Sequence, residues 1–289
     1  MSGRLQITPL EAPLGARIEG HCFQDPLESD VKRQLAEAVD EHLLLLFHNE
    51  KPPELAEVER FCSAFGPLRP TLADRSRMPG FPGINRVSNR DAEGVVGTGG
   101  SGPVSWHSDL AFEAPLIEFL YLDAVEVPQG HGNTQWTNLV AAYEALDAST
   151  RTRIDGLGVE YGLRTGLDFD GYFQSERGEA LLRDRTRISL VQQNPRNGRK
   201  AVWPNTGPDF DAKVMGLSRT ESDALLEALY AHATQERFVY EHAWSEGDSA
   251  FWLNNQTLHQ RQPFPDDVVR VLRHVNILGI TDPLQQVEG

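Results

Sequence analysis

The sequence from Ile84 onward is a succession of short apolar segments separated by glycine, proline, asparagine and aspartate. This pattern is typical of an antiparallel sandwich or barrel, because short strands alternate with residues that favour turns. The predicted strands are "INRVSN", "IEFLYLDAVEV", "AVWPN", "FVYEHAW", "SAFWLNN" and "VVRVLRHVNILGI". We therefore expect a mainly β fold with a double-stranded β-helix, or jelly roll, at its core.

Helical patterns precede and interrupt these strands. The segment "SDVKRQLAEAVDEH" places apolar residues on one helical face, with Ser29 as its expected cap, and "ELAEVERFCSAFG" is a helical pattern that stops at Gly66. Between them, "LLLLF" is short and continuously apolar, which predicts a strand buried on both faces. Two later helices are predicted in "TNLVAAYEALDAST" and "SRTESDALLEALYAHAT", the second with a capping box from Ser218 to Glu221.

Length and composition favour one domain. The chain has 289 residues, of which 39% are hydrophobic and 24% charged, as in ordinary globular proteins. Neither a repeat nor a proline- and serine-rich linker divides the sequence. We expect a single domain over residues 1–289, in which a long helical insertion at about 138–235 interrupts a core flanked by helices.

The net charge and the lengths of the apolar runs indicate which kinds of partner the protein can bind. The net charge of −15 disfavours nucleic acid, because phosphate backbones are bound by clusters of lysine and arginine, and the sequence has no such run. The longest apolar run, residues 43–47, is too short to cross a bilayer, and the N-terminus lacks a signal-peptide core. We predict a cytoplasmic protein with a small-molecule substrate and without nucleic-acid or membrane partners. Monomer and homo-oligomer both stay open.

Residues 97–102, "GTGGSG", superficially resemble a phosphate-binding loop. A phosphate loop must lead directly into a helix whose N-terminus faces the anion, whereas this segment passes through Pro103 into a predicted strand. We expect instead a mobile loop beside the functional site, because glycine lowers backbone order.

An imidazole and a carboxylate lie two positions apart in "SWHSDLAF". On a strand, His107 and Asp109 would point to the same face, which suits two neighbouring ligands of one metal ion. A third ligand must come from elsewhere, and the candidates are His21, His42, His48, His131, His232, His242, His259 and His274. His259 stands out, because it follows a predicted turn and strand that a jelly roll can return beside the first. Two imidazoles and one carboxylate form the facial triad of non-haem Fe(II) oxygenases, which leaves three of six positions free.

The whole chain resembles the taurine dioxygenase (TauD/TfdA) family of Fe(II)/2-oxoglutarate-dependent oxygenases. The matching blocks follow the family's order and are "ITPLEAPLGARIEG", "HLLLLFHNE", "FCSAFGPL", "WHSDLAF", "GNTQWTNLVAAYEAL", "NGRKAVWPN", "GDSAFWLNNQTLHQR" and "RVLRHVNILG". The resemblance implies that His107, Asp109 and His259 bind the iron and form the catalytic centre. It also implies that Thr134 hydrogen-bonds the far carboxylate of 2-oxoglutarate and that Arg270 forms an ion pair with it.

The alternation along "VVRVLRHVNIL" supports this assignment of Arg270. Arg270 and His274 share one strand face and should look into the pocket. Arg273 shares the other, apolar face, and is expected to snorkel or to form an ion pair outside the pocket. A guanidinium suits an anion site because its planar fork binds a carboxylate with two hydrogen bonds and keeps its charge.

The resemblance implies a dioxygenase that uses Fe(II), 2-oxoglutarate and O2 to hydroxylate an unactivated C–H bond, with decarboxylation of 2-oxoglutarate to succinate and CO2. Because the carboxylate of Asp109 is present, halogenation is not expected. The alternative with the same cofactors is desaturation or oxidative decarboxylation of a natural-product intermediate. More distant alternatives are a non-catalytic jelly-roll sensor of small molecules and a zinc hydrolase.

Signals for the substrate are weaker. Taurine enzymes have a second arginine four residues after the cosubstrate arginine, where this chain has His274, and "RPTLAD" lacks the histidine and tyrosine of a taurine pocket. We expect a small polar acid or amino-acid-like substrate instead of taurine. Trp106 either walls the pocket or packs in the core, and His274 either contacts substrate or is a satisfied buried histidine. Further residues in segments that could approach the mouth are Arg69, Asn85, Arg164 and Trp203.

Overall fold

Strands dominate the computed structural model, which describes residues 5–70, 74–92, 94–111, 115–164, 183–207 and 210–279. The strands in chain order are β1 Gln6–Pro9, β2 Ala16–Glu19, β3 Leu44–His48, β4 Leu68–Arg69, β5 Arg77–Met78, β6 Phe81–Ser88, β7 Thr98–Gly99, β8 Val104–His107, β9 Ile117–Glu126, β10 Thr134–Asn138, β11 Gly158–Leu163, β12 Thr186–Ser189, β13 Val191–Gln193, β14 Lys200–Val202, β15 Phe210–Val214, β16 Val239–His242, β17 Asp248–Leu253, β18 Thr257–Arg261 and β19 Val271–Leu278. The α-helices are α1 Ser29–His42, α2 Leu55–Ser63, α3 Leu139–Glu144, α4 Ala148–Ile154 and α5 Arg219–Ala233, and single 3₁₀ turns occupy Asp74–Ser76 and Glu236–Phe238. The prediction of a mainly β fold with helices is confirmed.

Two sheets form the centre of the molecule. The larger has the order β1-β2-β3-β17-β9-β19-β6-β5, with β4 beside β19 and β7 beside β6, and the smaller has the order β16-β10-β18-β8. Trp252 of β17 contacts both Trp136 of β10 and His259 of β18, with ring centroids 5.4 and 5.3 Å apart. The sheets therefore pack face to face, and their inner faces hold both the apolar core and the site described below.

The first two helices cover the larger sheet. Leu35 and Val39 of α1 are fully buried, and Phe61 of α2 packs edge-on against Phe251 of β17. The predicted strand "LLLLF" forms β3, whose first four residues are buried as expected. The predicted cap was wrong, since Glu28 holds the cap position of α1 and Ser29 is its first helical residue.

The segment between β10 and β16 is more than the helical insertion predicted from the sequence. It contains α3, α4 and α5, but also a three-stranded sheet with the order β12-β11-β15 and the β13-β14 hairpin. The predicted helix "TNLVAAYEALDAST" is two short helices, because the Asp147 side chain accepts a hydrogen bond from the Thr150 amide and caps α4. The capping box from Ser218 to Glu221 is confirmed at the start of α5.

The two ends of this segment lie side by side, because β10 pairs directly with β16. None of the helices in the described part of the chain combines the length and apolar character that a bilayer span requires.

Candidate active site

A cavity of about 140 Å³ lies between the two sheets. The larger sheet contributes Val87, Leu122 and His274 to its wall. The smaller sheet contributes residues of β8, β10 and β18, and Gly99 of the short strand β7 completes the lining together with Asp109 and Arg270, which lie outside the strands. Both sheets thus supply polar side chains to one cavity.

His107 and His259 meet in this cavity because their strands pair. They are direct partners in the register of β8 and β18, and their ring centroids lie 4.1 Å apart. Asp109 Oδ1 lies 3.2 Å from His107 Nε2 and 3.5 Å from His259 Nε2. These three residues are a set whose ligand atoms all lie within 4.8 Å of one another, close enough to hold one metal ion.

The geometry that brings Asp109 to this point differs from the prediction. We expected His107 and Asp109 to share a strand face, but β8 ends at His107 and Asp109 lies in the following turn. The turn continues into Leu110, whose φ of 52° is in the left-handed region that few residues other than glycine adopt. A tight turn, and not strand alternation, directs the carboxylate towards the imidazoles.

A buried network holds this turn. The Asn254 side chain accepts a hydrogen bond from the Asp109 amide (2.9 Å) and donates one to the Asp109 carbonyl (3.0 Å). Trp203 Nε1 donates to Ser108 Oγ (2.7 Å), and Asn205 donates from its side chain to the Ser108 carbonyl (3.0 Å). These contacts hold Ser108 and the backbone of Asp109 in place, which lowers the conformational freedom of the carboxylate before any metal binds.

The protonation states suit a divalent cation. His107 Nδ1 donates to the Ser105 carbonyl (2.8 Å), so Nε2, 3.2 Å from Asp109 Oδ1, is the His107 nitrogen that is available to a metal ion. Burial, together with the neighbouring His107, lowers the pKa of His259 well below its ordinary value. Burial alone would raise the pKa of Asp109, but contacts with His107 and His274 hold it well below its usual range. Two imidazole nitrogens and one carboxylate therefore lie around a common point, a donor set that fits Fe(II).

The opposite part of the cavity is cationic. Arg270 is 3% exposed, and its Nε donates to the Gly132 carbonyl (3.1 Å), yet no carboxylate pairs with it among the described residues. Burial, and then the nearby Arg261, lower the pKa of Arg270 to about 9. The hydroxyl oxygen of Thr134 accepts a hydrogen bond from Trp244 Nε1 (2.8 Å), which leaves the hydroxyl proton of this cavity-lining residue to be donated elsewhere.

Comparison with known proteins decides the family. Residues 6–276 match the family model described as "Taurine catabolism dioxygenase TauD, TfdA family". The chain belongs to the TauD/TfdA family. It is an Fe(II)/2-oxoglutarate-dependent dioxygenase, an oxidoreductase whose cosubstrates are 2-oxoglutarate and O2.

Two curated relatives match almost the whole dioxygenase. Pentalenolactone F synthase from Streptomyces arenae is 30% identical over 94% of this chain and 94% of its own. The alpha-ketoglutarate-dependent 2,4-dichlorophenoxyacetate dioxygenase from Cupriavidus pinatubonensis is 29% identical over 93% of this chain and 96% of its own.

Solved structures share the fold of the dioxygenase. AAD-2, in complex with Mn(II) and N-oxalylglycine, has a TM-score of 0.78 at 26% identity and covers 97% of this chain and 100% of its own. A taurine dioxygenase from Burkholderia xenovorans has a TM-score of 0.77 at 25% identity and covers 99% of each chain.

The sequence reasoning missed a second arginine in the cavity of the dioxygenase. Arg261 lies two positions after His259 on β18, and its Nη2 donates to the carbonyls of Gly99 (2.6 Å) and Gly102. Burial lowers its pKa to about 10. The strand alternation that we applied to Arg270 and His274 would have placed Arg261 on the same face as His259.

The glycine-rich segment lies beside the site as expected, although Thr98–Gly99 forms strand β7.

The residues proposed for the substrate lie in different places. His274 lines the cavity, with Nε2 3.1 Å from Asp109 Oδ2. Trp106 is buried among core residues and does not line the cavity, which favours its packing role. Trp203 is buried and donates to Ser108 in the turn that contains Asp109. The four residues predicted near the mouth do not belong to the cavity lining that the described residues form. They are Arg69, Asn85, Arg164 and Trp203.

Proposed function

We propose that this dioxygenase, built on a jelly-roll core, hydroxylates an unactivated C–H bond of a small organic acid. In the same turnover 2-oxoglutarate is decarboxylated to succinate and CO2. The observation that carries the proposal is the convergence of His107, Asp109 and His259 in one cavity with a buried arginine that has no carboxylate partner among the described residues.

In this proposal His107, Asp109 and His259 hold the iron. The bound iron supplies the activation of O2 and leaves three coordination positions for 2-oxoglutarate and O2. Asp109 contributes a charge that stays on the carboxylate, and His259 stays neutral because burial disfavours its protonation. The network around Ser108 and Asn254 keeps the carboxylate in place.

Arg270 and Thr134 bind the far carboxylate of 2-oxoglutarate in this proposal. The guanidinium offers a planar pair of N–H donors, and the hydroxyl of Thr134 offers a third, because Trp244 already donates to its oxygen. An incoming carboxylate would also relieve the unfavourable burial of the Arg270 charge.

Charge in the cavity supports an acidic substrate. When the positive charges of the iron dication, Arg261 and Arg270 are added to the negative charges of Asp109 and the dianionic cosubstrate, one positive charge remains uncompensated among the described lining residues. The curated relatives from Cupriavidus pinatubonensis and Sphingobium herbicidovorans act, by their names, on phenoxyacetate and phenoxypropionate acids. We therefore infer a small polar acid or amino-acid-like substrate, whose hydrocarbon part would lie against Val87, Val104 and Leu122.

Succinate formation tests the proposal. Purified protein with Fe(II), 2-oxoglutarate and a panel of small organic acids should consume O2 and release succinate, and His107→Ala or His259→Ala should abolish this while the far-ultraviolet circular dichroism stays unchanged. The matched control is His48→Ala, since His48 also contacts a carboxylate (Asp248, 2.7 Å) but lies outside the cavity.

An unchanged rate in either ligand variant would remove that histidine from the metal site, and zinc-dependent hydrolysis without O2 consumption would replace the proposal. Product mass separates the related outcomes, because hydroxylation adds one oxygen whereas desaturation removes two hydrogens.

A further inference from the structure

The two oxygens of Asp109 face different partners. Oδ1 lies 3.2 and 3.5 Å from the imidazole nitrogens of His107 and His259. Oδ2 lies 3.1 Å from Nε2 of His274, a hydrogen-bond distance. One oxygen is therefore directed at the metal position, and the other is occupied by a histidine outside the triad.

We propose that His274 is a positioning residue that keeps Asp109 a monodentate ligand. This inference rests on the proposed function. Carboxylates bind metal ions through one oxygen or through both. A second bond from Asp109 would fill one of the three positions that 2-oxoglutarate and O2 require. The Nε2–H of His274 binds the lone pair that such a bond would use, and so keeps that position open.

The backbones of His274 and Asp109 are both held by hydrogen bonds to other parts of the fold. His274 lies on β19, an interior strand, where it is opposite Leu122 of β9 on one side and Asn85 of β6 on the other. The backbone of Asp109 is held by Asn254 in the loop that joins β17 to β18. Because neither backbone can shift without breaking these bonds, the contact defines the orientation of the carboxylate plane.

This role changes the interpretation of His274 as a substrate residue. Its Nε2 donor is already engaged by Asp109, so the substrate cannot use that donor without releasing the carboxylate. Loss of His274 should therefore change metal coordination and cosubstrate binding first, whereas loss of a substrate anchor would raise the KM for substrate and leave the metal site unchanged.

The test uses Mn²⁺ as a probe in metal-free, full-length protein. The readouts are Mn²⁺ affinity, the number of Mn²⁺-bound waters from line broadening in ¹⁷O-enriched water, and the 2-oxoglutarate affinity of the Mn²⁺ form. In His274→Ala, the number of bound waters should fall from about three to about two as Asp109 becomes bidentate. The affinity for 2-oxoglutarate should fall about 10–100-fold, the range usual for residues that orient a metal ligand.

Two further variants make the result decisive. In His274→Gln, the side-chain amide can donate at the position of Nε2, so the water number and most of the cosubstrate affinity should return. The variant His274→Leu fills the space without a hydrogen-bond donor, so it should give the same water number and cosubstrate affinity as His274→Ala. It replaces the alanine variant in the test if that variant is unstable. His48→Gln is the control, because it alters a histidine–carboxylate pair outside the cavity.

Unchanged water number and cosubstrate affinity in His274→Ala and His274→Leu would overturn the inference while the proposed function stands. A wild-type protein that binds no Mn²⁺, or binds it equally well after His107→Ala, would overturn the proposed function and this inference with it.

Discussion

Arg270 and Arg273 are three residues apart, the first directly before β19 and the second within it, and their guanidinium groups have different partners. Arg273 points to the side of the larger sheet away from the cavity, where its Nε donates to Asp123 Oδ1 (3.0 Å) and its Nη2 to the Pro53 carbonyl (2.6 Å). Arg270 points into the cavity, where its Nε donates only to the Gly132 carbonyl. Among the described residues, the guanidinium of Arg273 has a carboxylate partner and that of Arg270 has none.

The pKa values of the two arginines shift in opposite directions. The contacts with Asp123 raise the pKa of Arg273 despite its burial, whereas burial and Arg261 lower the pKa of Arg270. Burial also raises the pKa of Asp123 to about 6, but this carboxyl group is still ionised at neutral pH. A buried cation without an acidic partner is unfavourable unless a ligand supplies the anion. We infer that the charge of Arg273 stabilises the fold and that the charge of Arg270 is available to an anionic ligand.

The largest expected effect is on stability, from Arg273→Met. Removing one partner of a buried ion pair leaves Asp123 charged and unpaired, which should lower the free energy of unfolding by about 3–5 kcal/mol. Urea denaturation followed by circular dichroism measures this loss. The double variant Arg273→Met/Asp123→Leu should recover most of it, because no isolated charge remains. Equal free energies of unfolding for wild type and Arg273→Met would show that Arg273 does not stabilise the fold.

The second effect is on binding, from Arg270→Ala. Loss of a charge-assisted contact to the cosubstrate should weaken 2-oxoglutarate binding by about 1.5–3 kcal/mol, roughly 10–150-fold. Calorimetric titration of the Mn²⁺ form measures the affinity, and the exposed Arg33→Ala is the control. Urea stability should not fall in Arg270→Ala, since the substitution removes a buried charge that has no carboxylate partner among the described residues. A loss of stability with unchanged cosubstrate affinity would assign Arg270 to the fold.

The smallest effect is expected from Arg261→Lys. The lysine keeps the positive charge, but its shorter side chain holds the ammonium farther from the two glycine carbonyls. The loop at residues 97–102 should therefore open more readily, by about 0.5–1.5 kcal/mol, the net contribution of a typical hydrogen bond. Hydrogen exchange of the Gly99–Gly102 amides should become faster, while cosubstrate affinity changes less than in Arg270→Ala. Exchange at the wild-type rate would show that Arg261 does not hold the loop.

The sequence predicted the parts of this arrangement that depend on strand alternation. The opposite orientations of Arg273 and His274, and the position of Arg270 in the cavity, follow from a period of two along one strand. Most of the predicted strands were found, because short apolar segments between turn residues leave few other structures open.

Other features depend on tertiary structure and could not be predicted. The orientation of Asp109 comes from a turn after β8 that Asn254 and Trp203 stabilise from distant parts of the sequence. Whether His274 would face a substrate or a carboxylate depends on how the two sheets pack, which no local pattern encodes. Of the strands in the two small sheets between β10 and β16, only β14 overlaps a predicted strand, "AVWPN". The other four were missed because they are only three to six residues long.

Anaerobic titration of the Fe(II) protein with 2-oxoglutarate tests the central claim most directly, because chelation of iron by an oxoacid produces a visible charge-transfer band. We predict that the band develops with saturation in the wild type, needs at least about tenfold more 2-oxoglutarate in Arg270→Ala, and is absent in His259→Ala. A wild-type protein that binds Fe(II) but gives no band, or an Arg270→Ala variant with an unaltered titration curve, would contradict the account.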